Sequence, residues 1–170
     1  MTDLDQFRAE KDNFFSTHPQ SPLTPEQKRS FSGLSYFEED PGLRLEVQVD
    51  KFPEQRQFEM QTSTGQMQSY TRYGSFKFEL DGQVAELTVY ASPHGFFLPF
   101  VDGLAGEETY PAGRYLDPEP LDDDRFLVDF NLAYNPYCAY TDTYRCPFPP
   151  RENQITVPVT AGEKIYSQTH

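Results

Sequence analysis

The chain has 170 residues, enough for one domain with a buried core and too few for two domains of ordinary size. Its formal net charge is −13, from 14 lysines and arginines against 27 aspartates and glutamates. This charge argues against binding to nucleic acid or to an anionic membrane surface, since both select clustered cations. Only 36% of the residues are hydrophobic, but 15% are aromatic and none is tryptophan. We therefore expect a core built from Phe, Tyr, Leu and Val.

The N-terminus has no basic segment followed by an apolar run, which predicts that no signal peptide is present. No stretch approaches the roughly 20 apolar residues that a membrane-spanning helix requires. The C-terminus carries no lipidation motif, and two cysteines do not make a disulfide framework. These features predict a cytoplasmic protein with reduced thiols.

Helical patterns are confined to the N-terminal part of the chain. Leu4, Phe7 and Lys11 recur at helical spacing, and Thr2 is placed to cap the N-terminus of this helix. The residues TPEQ, beginning at Thr24, predict the start of a second, short helix.

Strand patterns follow. The dipeptide Asp81-Gly82 between SFKFEL and QVAELTVYA predicts a hairpin with a type I′ turn, and Gly74 predicts a bulge or bend before it. Pro99 in the apolar run GFFLPFV predicts an edge or bulged strand. The pattern over 155–159 predicts a last strand, with Pro158 again indicating an edge.

Together these patterns predict a mainly β fold. We expect an antiparallel β-sandwich or partly closed barrel of about nine short strands with an N-terminal helical segment. The expected organisation is a single domain over 1–170, with helices in 1–34 and the β-domain in 43–170.

Four motifs succeed one another in the second half of the chain: ETYPAGRYLD from Glu108, VDFNLAYNPYCAY from Val128, CPFPPREN from Cys146 and AGEK from Ala161. In this order and spacing the chain resembles the uncharacterised prokaryotic family catalogued as domain of unknown function sixteen eighty-four. The opening RAEKDNFF with SPLTPEQKRSFSGLSYF is similar to the start of its shorter members. The resemblance implies an all-β domain with an N-terminal helical segment, and it implies no known reaction, cofactor or substrate. The chain departs from the family motif at Pro111, where a small residue such as Gly is usual.

The stretch 107–153 contains the candidate ligand-binding residues. Alternation along the predicted strand places Asp129 and Asn131 on one face. We expect Arg114 and Tyr134 to converge with them around a small polar ligand. The ligand-binding candidates are Glu108, Tyr110, Arg114, Tyr115, Asp129, Asn131, Tyr134 and Asn135.

These residues also have structural interpretations. Arg114 either holds an anionic ligand bidentately or forms a buried ion pair with Glu108 or Asp129. Asp129 and Asn131 either orient a ligand or cap a turn. The acidic run 122–124 lacks the spacing of a calcium loop and is interpreted as a solvated loop, so no metal site is predicted.

The catalytic candidates are His94, Asp129 and Cys138. A nucleophilic thiol needs a base, and His94 is the only interior histidine. Cys138 and Cys146 are eight positions apart, too far for a redox CxxC pair or half of a zinc knuckle. Their alternative role is to clamp the loop between them, as buried thiols or as a disulfide.

Three functions follow from these patterns. The first is a small polar-ligand-binding β-domain, with a pocket near 107–153 that is lined by Phe and Tyr and closed by the loop 135–150. The second is a hydrolase or transferase that uses Cys138 or Asp129 with His94. The third is a structural or protein-interaction domain. The candidate partner is a small molecule, with no nucleic acid and no membrane, and the sequence indicates neither a cofactor nor a particular protein partner.

Overall fold

A computed structural model describes residues 2–141 and 143–166. Within these residues, two α-helices precede a run of nine β-strands. Their bounds are α1 Asp3–Thr17, α2 Pro25–Ser30, β1 Arg44–Gln48, β2 Asp50–Lys51, β3 Gln57–Gln61, β4 Met67–Leu80, β5 Gln83–Ser92, β6 Gly95–Phe100, β7 Arg114–Leu116, β8 Glu119–Pro120 and β9 Arg125–Asp129.

Both helices begin where their capping residues predict. The Thr2 side chain accepts a hydrogen bond from the backbone of Asp5, whose carboxylate bonds back to the Thr2 backbone. Thr24 and Gln27 form the same capping box at α2. Phe15 fixes α1 to the rest of the chain, because it is buried with its ring centroid 5.1 Å from that of Tyr140. No helix in the described part of the chain is long and apolar enough to span a membrane.

The strands form two antiparallel sheets that do not close into a barrel. One has the order β1-β9-β8, and the other has the order β2-β4-β5-β6-β7, with β3 also pairing with β4. The mainly β fold with an N-terminal helical segment is therefore confirmed.

The β4–β5 hairpin confirms the turn prediction. Asp81 has a φ of 52° and Gly82 a φ of 78°, the pair of positive values that a type I′ turn requires. The bulge lies between Arg72 and Gly74. A Cβ at Gly74 would lie 2.6 Å from the Asp50 carbonyl oxygen, so only glycine lets β2 approach β4 here.

The main core lies between the two sheets. Phe76 from β4 and Leu87 from β5 are buried there, and the rings of Phe96 from β6 and Phe126 from β9 are 4.8 Å apart. A second cluster on the other face of the six-stranded sheet contains Tyr70, Tyr90 and Phe97. Because strand residues alternate between faces, β6 sends Phe96 and Leu98 into the main core and Phe97 outward.

Of the two alternatives predicted for Pro99, an edge or a bulged strand, the edge is wrong, because β6 lies between β5 and β7. Pairing with β5 ends at Phe97, and pairing with β7 begins at Leu98. Strand β6 therefore exchanges β5 for β7 as its hydrogen-bonding partner just before Pro99. The carbonyl of Pro99 accepts a hydrogen bond of 2.8 Å from the Asn153 side chain.

The predicted last strand over 155–159 is also wrong, since these residues form no strand. Ile155 donates its backbone N–H to Val101 at 2.8 Å, as a strand would. Val159, however, donates its N–H to the carboxylate of Asp102 at 2.7 Å. A side chain thus replaces a strand carbonyl, and the ladder does not continue.

Candidate functional site

A cavity of about 550 Å³ lies on the face of the six-stranded sheet that is turned away from the main core. The sheet contributes Tyr70 from β4, Phe97 from β6 and Tyr115 from β7. Helix α1 and residues from 134–137 and 144–147 form the other walls. The full lining is Phe7, Lys11, Tyr70, Phe97, Tyr115, Tyr134, Pro136, Tyr137, Tyr144, Arg145, Cys146 and Pro147. We call this space the aromatic cavity.

The rings on the sheet side of the aromatic cavity form a continuous series. Tyr70 stacks on Phe97 with centroids 5.3 Å apart. Phe97 meets Tyr115 edge-on at 4.8 Å, and Tyr115 meets Tyr134 edge-on at 5.7 Å. Such contacts hold the rings in defined orientations, so this wall is preformed.

The loop side is tied to the sheet by hydrogen bonds. The buried Tyr115 hydroxyl donates to the Pro147 carbonyl at 2.5 Å, and burial raises the pKa of Tyr115 well above its usual range. Tyr137 and Tyr144 contact each other across the loop, with centroids 5.1 Å apart. These contacts hold the described part of the loop in place beside the aromatic cavity.

Both cysteines are free thiols in this loop. The Cys138 thiol donates to the Tyr144 carbonyl at 2.9 Å and lies 3.1 Å from the Ser63 hydroxyl. Burial, with a hydrogen bond to Cys138, raises the pKa of Cys146 to about 12. Cys146 is therefore a neutral thiol at physiological pH, which suits packing better than nucleophilic attack.

Lys11 reaches the aromatic cavity from α1 with its charge already paired. Its ammonium donates to the carboxylate of Glu163 and lies 5.1 Å from the centroid of the Tyr134 ring. Glu163 is buried, and it also accepts hydrogen bonds from the Asn135 backbone at 3.0 Å and from the Tyr140 hydroxyl at 3.1 Å. The buried carboxylate is thus fully engaged within the protein.

A smaller, more polar cavity of about 360 Å³ adjoins the aromatic cavity and shares Tyr70 and Phe97 with it. His94 and Asp117 lie on its wall. The Tyr134 hydroxyl donates to Asp117 at 2.9 Å, which links the two cavities. Burial raises the pKa of Asp117, and this hydrogen bond opposes the rise.

Comparison with known proteins places the chain in a family. The family model described as "Protein of unknown function (DUF1684)" matches residues 29–164, well over half of the chain. The chain belongs to the DUF1684 family. A solution NMR structure of an uncharacterized protein from Haloarcula marismortui is 40% identical, with a TM-score of 0.71, and covers 95% of this chain and 91% of that chain. Comparison with curated proteins finds no match.

In this DUF1684 protein, Arg114 faces away from the aromatic cavity. It precedes Tyr115 in β7, and neighbouring strand residues point to opposite faces. Its guanidinium donates to the backbone carbonyls of Ala161 at 2.5 Å and Val159 at 3.0 Å, and it lies 3.8 Å from the Asp102 carboxylate. Burial lowers the pKa of Arg114 to about 10, which leaves it charged at neutral pH.

The buried ion pair foreseen for Arg114 therefore exists with a different partner. Asp102 takes the place that the sequence assigned to Glu108 or Asp129. Glu108 is exposed, and the Asp129 carboxylate lies 3.7 Å from Arg44 instead.

Asp129 and Asn131 cap a turn in this DUF1684 protein. The Asp129 carboxylate accepts the backbone N–H of Asn131 at 3.0 Å. The Asn131 side chain accepts the N–H of Asp40 at 2.8 Å and donates to its carbonyl at 2.9 Å. Asp129 and Asn131 thus share one hydrogen-bond group. Arg114 belongs to a second group and Tyr134 to a third, so the described contacts do not form one converging set.

Among the other ligand-binding candidates, Tyr115 and Tyr134 line the aromatic cavity. Tyr110 borders a third cavity of about 240 Å³. The Asn135 amide donates to the Lys164 carbonyl at 3.0 Å. Two of the eight candidates therefore reach the aromatic cavity, and ligand contact by all eight remains a prediction.

The catalytic candidates of this DUF1684 protein lie in three places. His94 borders the polar cavity, Cys138 borders the third cavity and Asp129 caps its turn. The described contacts include no pair among them. Across the described ranges, no group of three or more His, Cys, Asp or Glu side chains is placed to hold a metal ion.

Sequence reasoning missed several walls of the aromatic cavity. Tyr70 and Phe97 belong to strands and look like ordinary core residues in the sequence. Phe7 and Lys11 belong to a helix that lies well over a hundred residues before the loop in the sequence. One signal was available: Lys11 is a cation on the apolar stripe of α1, where a buried partner such as Glu163 is needed.

Proposed function

We propose that this DUF1684 protein binds a small molecule in the aromatic cavity. The observation that carries the proposal is a preformed space of about 550 Å³ in which seven of the twelve lining residues are aromatic. Pockets for small molecules have volumes of roughly 300–1,000 Å³, mostly apolar walls and a few fixed polar groups.

The fixed polar groups of the aromatic cavity lie around Tyr134. The Tyr134–Asp117 hydrogen bond of 2.9 Å marks the boundary with the polar cavity, and Lys11 lies beside the Tyr134 ring. A ligand with a flat apolar body and a polar end would match this arrangement. The free thiols of Cys138 and Cys146 suit a reducing compartment, so we place the protein and its ligand in the cytoplasm.

Fluorescence titration with N-phenyl-1-naphthylamine, a neutral aromatic dye, tests the proposal. We expect saturable binding of one dye per chain, because the rings of the aromatic cavity exclude water from a flat apolar molecule. In Phe7→Asp the dye should bind at least about fivefold more weakly, since a carboxylate at the mouth must be desolvated on binding. Phe7 is 44% exposed, so the change should not unfold the protein.

Val84→Asp is the matched control. Val84 is 64% exposed and lines none of the three cavities, so the variant removes an apolar surface residue and adds the same charge. Its dye affinity should equal that of the wild type. Absence of saturable binding, or equal loss in both variants, would show that the aromatic cavity does not bind ligands.

A further inference from the structure

The charges around the aromatic cavity differ from those of the whole chain. Acidic residues outnumber basic ones by 27 to 14 in the sequence. The described residues that line the aromatic cavity include two cations, Lys11 and Arg145, and no acidic residue. A ligand in this space therefore meets positive charge on a protein that is otherwise strongly negative.

The two cations differ in how their charges are compensated. Lys11 donates to the buried carboxylate of Glu163, so its charge is neutralised locally. Arg145 is exposed at the mouth, and its guanidinium donates to the neutral side-chain amide of Gln66 at 2.5 Å. Within 2–141 and 143–166, Arg145 takes part in no ion pair.

The guanidinium of Arg145 acts on the ring at the end of the aromatic series. Burial raises the pKa of Tyr70, and the positive charge of Arg145 opposes this rise. An arginine has five N–H donors in a fixed planar fork, and the fork matches the two oxygens of a carboxylate. Among the residues that the structure describes, Arg145 thus presents donors without a charged partner beside an apolar wall.

We infer that the ligand of the aromatic cavity is an organic anion, with an apolar body between the rings and a single oxyanion group bound by Arg145. This inference rests on the proposed binding function and adds the charge of the ligand to it. Lys11 also lines the aromatic cavity, but its charge is already paired with Glu163. Arg145 therefore supplies the charge that selects the anion.

Two dyes with the same aromatic skeleton test the charge of the ligand. 1-Anilinonaphthalene-8-sulfonate carries a sulfonate as its oxyanion group, and N-phenyl-1-naphthylamine is the neutral counterpart without it. In Arg145→Gln we expect the dissociation constant of the sulfonate dye to increase about five- to tenfold and that of the neutral dye to change less than twofold, because only the charged dye loses a partner. Affinity for the sulfonate dye should also decrease with added salt.

Arg151→Gln is the matched control, since Arg151 is also exposed and lines none of the three cavities. It lowers the net charge by the same amount and should leave both affinities unchanged. If the neutral dye binds but Arg145→Gln weakens neither dye, or weakens both equally, the anion inference is wrong and the binding proposal stands. If neither dye binds, the binding proposal itself is wrong.

Discussion

The side chain of Asn153 is fully buried and hydrogen-bonded on both of its polar atoms. Its amide donates to the carbonyls of Thr88 at 2.9 Å and Pro99 at 2.8 Å, and its oxygen accepts the Thr88 N–H at 2.8 Å. One asparagine thus joins β5 and β6 where their own pairing has ended.

Replacing Asn153 by alanine should lower the free energy of unfolding by about 3 kcal/mol or more, because buried groups on Thr88 and Pro99 would lose their partner. Chemical denaturation measures the change. Asn13→Ala, at an exposed position on α1, should stay within about 0.5 kcal/mol. A loss below about 1 kcal/mol in Asn153→Ala would mean that water replaces the side chain.

Glu152, the neighbour of Asn153, makes stability depend on pH. Arg72 binds its carboxylate bidentately, with a shortest distance of 2.6 Å, and the Tyr90 hydroxyl donates to it. Burial alone would raise the pKa of Glu152, but these hydrogen bonds outweigh it and hold the pKa below the ordinary 4.5. A carboxyl with a lowered folded pKa stabilises the fold above the unfolded pKa, and this is lost as the pH falls through the folded value.

Arg72→Gln should therefore be less stable than the wild type at neutral pH, and the difference should shrink as the pH falls below 4.5. The Arg72 side chain is 37% exposed, so solvent screening limits the neutral-pH difference to about 1 kcal/mol. Urea denaturation at several pH values measures it, with exposed Arg29→Gln as the control. A difference that stays constant with pH would rule out Glu152 as its source.

Residue types and strand alternation predicted part of the candidate site. Tyr115 and Tyr134 were identified, and both line the aromatic cavity. Arg114 was grouped with Tyr115 because of its chemistry, although adjacent residues of a strand face opposite ways. Which face of β7 is turned towards the aromatic cavity decides which of the two side chains reaches it. The local sequence does not specify that face.

At the scale of elements, α1 is attached to the β-region through a buried ion pair. Lys11 donates to Glu163, with side chains 18% and 3% exposed. Glu163 also holds the Asn135 backbone and the Tyr140 hydroxyl. The carboxylate therefore links α1, the loop over the aromatic cavity and the C-terminal segment.

Lys11→Met should lower the free energy of unfolding by about 2 kcal/mol, because a buried carboxylate is left without its cation. This loss is smaller than that expected for a fully buried ion pair, since Lys11 is partly exposed. Adding Glu163→Gln should recover more than half of the loss, because the amide keeps an acceptor for Asn135 and Tyr140 but carries no charge. Denaturation of the three proteins measures this coupling, and a double variant no more stable than Lys11→Met would contradict it.

Elements whose signals are local were predicted well. The two capping boxes, the Asp81-Gly82 turn and the bulge before Gly74 each depend on a few adjacent residues. The environment of Pro99 and the segment 155–159 were not predicted. In both cases a side chain from elsewhere, Asn153 or Asp102, supplies the backbone's hydrogen bond.

At the scale of the whole molecule, the aromatic cavity exists only after the chain has folded. Its walls come from Phe7 on α1, from three strands and from a loop that ends at Pro147. No local pattern connects these positions. The sequence predicted a Phe- and Tyr-lined pocket near the loop. It did not predict that α1 packs beside this loop and contributes Phe7 and Lys11 to the wall.

The net charge of −13 should make the folded state sensitive to salt. Like charges are closer together in the folded chain than in the unfolded one, so self-repulsion destabilises the fold and salt screens it. We expect the free energy of unfolding to increase by about 1 kcal/mol between about 10 and 300 mM NaCl. Urea denaturation measures it, because guanidinium chloride would itself screen the charges.

The double variant Glu38→Lys/Glu39→Lys separates charge screening from other salt effects. Both positions are exposed, and each substitution replaces a negative charge by a positive one, so the net charge changes from −13 to −9. The variant should be more stable than the wild type at low salt and should gain less from added NaCl, because less repulsion remains to be screened. If added NaCl increases the free energy of unfolding equally in both proteins, salt stabilises the fold by a mechanism other than screening of the net charge.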